Sequence, residues 1–563
     1  MKIHLIFPPV SPQFHMPYLS VPALVAYLRK VEPHWQVKSA DLNILLARKI
    51  IEPDGIARFK EALRDMEKQT NDISMKQWFA SHRDQLKKIE KFLDHYRDKW
   101  LDKSVSPLSR LGIYFSWMLK FMETWLIEVL SSSVNVLGQT QVQTMKWAEE
   151  FPEGIMTEFF EREAVPEILN FNPDLLGISW VDEQQVLPTL VLLKYLRKRG
   201  FKGRIVVGGP YISLIWNRLK NSPLTEVFDY FVFRQGEEPL WRLGKALETG
   251  RQNDIKQFIE PKEADVNLLP PPDFSDFPLD RYLTNSLRLS ILGSWGCYWG
   301  KCSFCNVRKL EGVSYQPREP QKIVEDMIEV KERFKPAEVR LADNAIPFSV
   351  MVKIAKMLVE RDVNLPWLTN TRFDGTWTQD GVNLLARSSC AQLLFGLETA
   401  SEDVLRLVNK GTDLKRVRMI LGLIANTRIW AHFYMIVGHP GDSREEWEKT
   451  LQFFKDISRR YPTLRFSTHL AGFGLQIQSH MYHHPKVYGI EEIEEPDPAG
   501  WSTLCRYKLS PPFKDLLAEP GIYEEMRKKL TKIYTDHLRR QTPLKHKIST
   551  RFWQAKMKLK LLK

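Results

Sequence analysis

Short apolar runs alternate with amphipathic stretches twice along this chain, once on each side of a proline-rich joint. That alternation limits the fold to α/β architectures. Strands separated by helices run parallel, bury both sheet faces under the helices, and present ligands at their carboxyl ends. In the N-terminal half, Ile3–Phe7 reads as a strand and Val21–Arg29 as a helix, and a second strand around Trp35–Val37 leads to Asp41. Residues 50–163 form an insertion with helical periodicity, frequent charges and few glycines. The pattern resumes with strands at 174–180, 204–210 and 227–233, the middle one ending in Gly-Gly-Pro, and with helices at 186–199 and before Leu247. The expectation is a doubly wound, flavodoxin- or Rossmann-like domain over 1–258.

The proline-rich stretch around Asn267–Leu283 reads as an extended linker, with bounds set at 259–284. Strands then follow at 288–293, 337–342, 365–370, 392–397, 431–437 and 465–470, with helices such as Gln321–Phe334 and Ser443–Arg459 between them. Six such units over 285–471 imply a partial (β/α)6 barrel with its chemistry at the carboxyl-terminal rim. The remainder, 472–563, starts irregular, ends in helix around Ile522–Arg540, and is expected to be mainly helical.

Composition narrows the class. Of 563 residues, 43% are hydrophobic and 26% charged, a globular balance that excludes a disordered or collagen-like chain. Five cysteines, three of them within nine residues, do not make a secreted disulfide framework. The opening MKIHLIFPPV reads as a strand rather than a signal peptide. The most apolar helical stretch, Leu111–Leu130, is interrupted by Lys120, Glu123 and Glu128, so no membrane span is expected and a reducing, cytoplasmic setting is. The formal charge of +13 is concentrated at the end, where residues 527–563 hold thirteen Lys or Arg against Asp536 alone. Such a tail reads either as a handle for a polyanion or as a solvated helix face.

The chemistry sits directly after strand 288–293. There Cys297, Cys302 and Cys305 are spaced Cys-x4-Cys-x2-Cys. Soft thiolates at this spacing select zinc, Cu(I) or an iron–sulfur cluster. Structural zinc takes four ligands, and no second Cys or Cys-His pair lies nearby; a distant fourth ligand stays open. Three thiolates on a [4Fe–4S] cluster leave one iron without a protein ligand, free for a cosubstrate. Cys390 and Cys505 stand alone and read as small buried hydrophobes.

Together with Phe304 before the last cysteine, this motif resembles that of the radical S-adenosylmethionine (SAM) superfamily, with one residue more than usual between Cys297 and Cys302. The resemblance extends over about 285–470, through Leu341-ADNA, Thr369-NTRFD, Phe395-GLETASEDVLRLVNKGT and Met435-IVGHPGDSREEW. It implies that Cys297, Cys302 and Cys305 hold a [4Fe–4S] cluster. Glu398 and Thr399 would be the first contacts to SAM, with Asp343, Asn344 and Arg372 next and Phe304 and Val437 beside them. The N-terminal half resembles the cobalamin (B12)-binding domain fused to one radical SAM class, through Phe7-PPV, Tyr18-LSVPAL, Asp41, Gly177-ISWV, Val207-GGP and Arg234-QGEEPL. By that resemblance Leu19, Ser20, Asp41, Ser179, Trp180, Gly208, Gly209, Pro210, Gly236 and Glu237 border cobalamin. Asp-x-His-x-x-Gly is absent, so cobalamin is expected to bind His-off.

The function implied is a cobalamin-dependent radical SAM methyltransferase. It would methylate an unactivated carbon of a peptide or natural-product intermediate through a 5′-deoxyadenosyl radical and methylcobalamin. It would act as a monomer with an external flavodoxin- or ferredoxin-type electron donor. Two alternatives stay open. One is the same cofactors used for ring formation or another oxidation without methyl transfer. The other is an RNA-modifying protein using the basic tail, against which stands the lack of an aromatic-interleaved RNA-binding module.

Overall fold

The computed structural model describes residues 1–69, 73–96, 114, 118–126, 130, 135–262, 265–312 and 315–541. These divide into two compact units. The first takes residues 1–264, 269–289 and 497–502, and the second takes 265–268, 290–496 and the chain from 503 onward.

The first unit is built on six strands: β1 (Lys2–Phe7), β2 (Gln36–Asp41), β3 (Leu175–Ser179), β4 (Arg204–Gly208), β5 (Tyr230–Val232) and β6 (Phe258–Ile259). They are ordered β2-β1-β3-β4-β5-β6, and every ladder is parallel. β3 is buried at every residue, as a strand covered by helices on both faces must be. Gly177 allows β1 to approach, since a Cβ there would stand 2.5 Å from Leu5 Cδ2. The order reverses between β1 and β3, which makes their carboxyl ends the switch point where α/β sheets take ligands. Within the insertion, helices Pro53–Gln69, Ile73–Tyr96 and Gln141–Glu149 are described.

The proline-rich segment is not a free linker. Phe274 and Tyr282 are buried at 0% and 1% exposure, and residues 269–289 belong to the first unit. Arg29 ties the segment down through Asp273 (2.7 Å) and Asp276 (2.8 Å). Aromatic residues among the prolines supply apolar surface that a solvated polyproline spacer would lack. The unit boundary therefore falls at 289/290 instead of 284/285.

The second unit opens with β7 (Arg288–Leu292), at the boundary, and a hairpin of β8 (Ser294–Gly296) and β9 (Tyr315–Pro317). β10 (Glu338–Ala342), β11 (Trp367–Thr371), β12 (Cys390–Glu398), β13 (Trp430–Val437) and β14 (Arg465–Gly472) follow. Their order is β7-β10-β11-β12-β13-β14, with parallel ladders from β10 to β14 and no ladder joining the ends. This is the open six-stranded layout expected of a partial barrel. Past β14 the chain forms an antiparallel sheet, β15 (Leu475–Gln476), β16 (Ile490–Glu494) and β17 (Leu504–Leu509), ordered β15-β17-β16. The stretch read as irregular and mainly helical thus begins as sheet, because Leu475, Ile490 and Cys505 cluster with Val404 and Val408. Helix Ile522–Gln541 closes the described chain, and the most basic part of the tail, 542–563, lies outside the described residues.

Candidate active site

At the switch point of the first sheet, Ser20 Oγ and Ser179 Oγ stand 2.9 Å apart, Ser20 opening the helix after β1 and Ser179 ending β3. Leu19, Gly208, Gly209, Gly236 and Glu237 are partly accessible around the same carboxyl ends, and Pro210 is exposed. Two of the expected cobalamin neighbours have side chains spent inside the fold. Asp41 caps the helix Leu42–Ile51 by accepting from Asn43 N and Ile44 N, and its other oxygen accepts from Tyr282 OH at 2.5 Å. Burial pushes its carboxyl up to about 6 against those three donors. Trp180 is fully buried, donates to Thr189 Oγ1 at 2.8 Å and packs edge-on to Phe228. Gly209, at φ +105°, exists for the same packing, since a Cβ there would lie 2.3 Å from Trp180 O. His4 lies mid-strand in β1 with 0% exposure, and His15 Nδ1 is 2.6 Å from Glu123 Oε1.

In the second unit the three thiols share the loop after β8, and all are free. Crowding about its sulfur pushes Cys305 up to about 11, and Cys302 and Cys297 push the same way, so the three sense one another's charge. Among the described residues no three His, Cys, Asp or Glu side chains converge at metal-holding distance, so the loop shows the donors without a closed site. The donor set itself, three free soft thiols in nine residues, fits a cluster with one open iron.

The loop is anchored by an aromatic residue. Trp299 lies against Gly411, where a Cβ would come within 2.3 Å of the indole, and its Nε1 donates to Asn409 O at 3.1 Å. The Arg372 guanidinium stacks on the same indole at 4.6 Å, donates to the Lys410 carbonyl at 2.5 Å, and pairs with Asp374 at 2.8 Å. Tyr298 OH donates to the other Asp374 oxygen at 2.6 Å. Lys410 then meets Glu398 at 2.6 Å, both almost fully buried. Burial works to discharge Lys410, but Glu398 and Cys302 outweigh it and hold the ammonium above its usual value. Room for the pair comes from Gly396, where a Cβ would fall 2.7 Å from Glu398 Oε1 and 2.8 Å from Lys410 Nζ. Glu398 itself adopts φ +67° at an irregularity in the β12–β13 ladder, which re-aims its side chain.

The other expected SAM neighbours divide in two. Asn344 Nδ2 donates to Gly296 O at 3.1 Å and to Glu311 Oε1 at 2.6 Å, bracing the start of the thiol loop. Asp343 accepts from Thr369 at 2.7 Å, and burial pushes it up to about 8. Thr399 and Val437, by contrast, are fully buried. The Thr399 hydroxyl meets that of Thr450 at 3.0 Å, and Val437 O accepts from Phe473 N at 2.8 Å.

Phe304 brings in a residue that motif reading passed over. Its ring lies 5.1 Å from His439, and the Phe473 ring lies 5.0 Å from the same imidazole, both tilted. His439 is 1% exposed, neither ring nitrogen has a hydrogen-bond partner, and burial, then Lys410, pushes it down to about 3. It belongs to the Gly438-His-Pro-Gly441 turn, closed by Gly438 N donating to Asp442 at 2.9 Å. Lys410 was missed likewise, though it lies inside the quoted Phe395–Thr412 segment; its signal was position, the residue before a turn glycine.

Comparison with known proteins bears on the fold that carries this site. Residues 294–454 match the radical SAM superfamily. An uncharacterised methyltransferase of Pyrococcus horikoshii is 21% identical over 322 residues, 54% of this chain and 69% of that protein. The cobalamin- and [4Fe–4S]-bound structure of the radical SAM methyltransferase TsrM from Kitasatospora setae superposes with a TM-score of 0.54 at 15% identity, covering 94% of this chain and 90% of that one. The cobalamin-dependent radical SAM enzyme OxsB, solved with aqua-cobalamin and SAM, superposes with a TM-score of 0.57 at 14% identity, covering 96% and 72%. At these identities the structural likeness establishes the fold.

Proposed function

We propose that this chain, a radical SAM protein through residues 294–454, is a cobalamin-dependent methyltransferase acting on an unactivated carbon of a peptide or small-molecule intermediate. The observation that carries the reading is the loop of three free thiols following β7 and β8 at one end of an open parallel sheet. Bound there, a [4Fe–4S] cluster and SAM supply a carbon-centred radical, and cobalamin in the first unit carries the methyl group.

The chain's own residues bind and orient. Cys297, Cys302 and Cys305 hold the cluster, and Trp299 on Gly411 fixes the loop that carries them. Glu398, Arg372, Asn344 and Asp343, each also held by a protein partner, are the polar groups proposed to position SAM, with Phe304 proposed as a further neighbour. Ser20, Ser179 and Gly208 border the switch point proposed for cobalamin, with Leu19, Gly209, Pro210, Gly236 and Glu237 around it. Cobalamin would be held His-off, as the missing Asp-x-His-x-x-Gly pattern implies; His4 is buried within β1 and His15 pairs with Glu123. An external flavodoxin- or ferredoxin-type donor would supply the electron, and five free cysteines support a reducing, cytoplasmic setting. Among the described residues no helix is long and apolar enough to cross a membrane.

The test is anaerobic reconstitution. The wild-type chain should hold about four iron per chain, cleave SAM to 5′-deoxyadenosine under reduction, and pass labelled methyl from SAM to bound cobalamin. Cys302→Ala should lose all three properties. SAM cleavage retained in Cys302→Ala, or full activity without cobalamin, would remove the reading.

A further inference from the structure

Positive charge collects between two helices of the second unit. Helix Leu414–Ile424 follows β12, and helix Arg444–Arg460 leads into β14. Between them lies a cavity of about 460 Å³ lined by Arg418, Asp456, Ile457, Arg459 and Arg460. Because β12, β13 and β14 run parallel, Arg460 stands at their amino ends, opposite the end at which Glu398 closes β12.

The three guanidiniums are short of counter-ions. Arg418 donates to Leu414 O at 3.4 Å and stacks on Phe453 at 5.0 Å, and Arg460 stacks on Tyr461 at 5.7 Å. Neither makes an ion pair with any described residue. Arg459 approaches Asp456 only to 3.9 Å, and Asp456 accepts from Gln452 at 2.7 Å. The lining thus sets three positive charges against one negative. Flanking sequence does not compensate. Residues 414–428 hold Lys415, Arg416, Arg418 and Arg428, residues 457–465 hold Arg459, Arg460 and Arg465, and neither run has an Asp or Glu. Arg459 and Arg460 lie in the last turn of their helix, where cations complement the carbonyl ends. Arg418 has no such reason. It is half-buried in the second turn of its helix, where the dipole gives a cation no support, and Phe453 holds it at the cavity wall.

We propose that this cavity binds a phosphoryl group, with Arg418 and Arg460 as its anchors and Arg459 as a third donor. Planar guanidinium forks match phosphate oxygens with paired, charge-assisted hydrogen bonds. Two positive charges in excess suit a phosphate dianion better than a singly charged carboxylate. The volume falls in the range of about 300–1,000 Å³ common to ligand pockets, which leaves room for an organic group on the phosphate. No residue of the thiol loop or of the Glu398–Lys410 pair takes part, so the site is independent of the cofactors proposed above.

The experiment is calorimetric titration of the full chain with inorganic phosphate and with 1-naphthyl phosphate. Arg418→Gln and Arg460→Gln should each lose about tenfold in affinity, the loss expected when one charged hydrogen-bonding partner is removed. Both should keep wild-type iron incorporation. Asp456→Asn, which removes the one negative charge of the lining, should bind severalfold more tightly. Arg460 is exposed, so its variant serves if Arg418→Gln fails to fold. Tighter binding of the ester assigns the site to a phosphorylated small molecule, and equal binding assigns it to free phosphate; either result supports the proposal. Unchanged affinity in both arginine variants, naphthalene-1-carboxylate binding as tightly as the ester, or no binding of either phosphate would overturn it. So would an oligonucleotide that binds through Arg418 while the ester does not, which would assign the surface to a nucleic acid. The basic residues after Gln541 stay in every variant, so a loss in Arg418→Gln reports the cavity and not the tail.

Discussion

Trp299 occupies the place where any other residue at position 411 would put a Cβ, 2.3 Å from the indole. Gly411 also sits at φ +67°, so the turn and the thiol loop are fitted to each other. Gly411→Ala should therefore lift Trp299 and loosen the loop that carries the cysteines. The expected outcome is iron incorporation well below the wild-type level with all three cysteines present. Full incorporation would show that the loop orders without Trp299.

The Glu398–Lys410 pair is the second support. Lys410→Met leaves the Glu398 carboxylate buried without a partner, which costs about 3–5 kcal/mol. The double variant Glu398→Gln/Lys410→Met should recover much of that loss in denaturant titration. Because the folded-state value of Lys410 is raised, its contribution is complete below about pH 10 and is lost as pH rises through that folded value. A Lys410→Met chain as stable as wild type at pH 7 would remove the pair from the account.

Asp343 has the same direction of pH dependence for a different reason, burial of a carboxyl rather than pairing of an ammonium. Its folded value, about 8, lies above the unfolded value of about 3.9, so it binds a proton more tightly when folded. Its contribution is greatest at low pH and declines as pH rises from about 4 to about 8. Asp343→Asn should gain stability relative to wild type across that window and level off above it. Melting curves that stay parallel between the two chains would contradict this.

Gly208 and Gly209 separate two explanations for one motif. A Cβ on Gly209 would strike Trp180 O, so Gly209→Ala should lower the melting temperature whether or not cobalamin is present. A Cβ on Gly208 meets only Val232, at 3.3 Å, so Gly208→Ala should fold nearly normally and show its effect in cobalamin loading. Titrating cobalamin into both variants after a melting check distinguishes them; equal stability losses would assign both glycines to packing.

Much of this was legible in the chain itself. β1, β3 and β4 were placed within a residue or two because buried parallel strands are continuous apolar runs bounded by turn residues. β12 extends back to Cys390, where a polar Gln392 breaks the run that marks a strand. The proline-rich segment was misread because Asp273 and Asp276 look solvated until Arg29, over 240 residues away, arrives to pair with them. Glu398 stood out by its motif, whereas Lys410 becomes its partner only through the ladder irregularity and the turn at Gly411. The antiparallel sheet after β14 hid in strands of two to six residues rich in Glu, Lys and Arg.

The basic tail offers a separate check. Removing residues after Gln541 should leave iron and cobalamin loading unchanged. If the tail engages a polyanion, heparin binding by the full chain should fall steeply with salt and disappear on truncation. Salt-independent binding that survives truncation would return the charge to a solvated surface.

Because no ladder joins β14 to β7, the second sheet is a leaf rather than a tube. A tube selects by bore, admitting whatever passes its mouth. A leaf sets no girth, so a reacting carbon in the middle of a long or bulky molecule can be offered as readily as one at a terminus. Under the proposed function, discrimination would then fall to local contacts along the sheet rather than to the width of an opening.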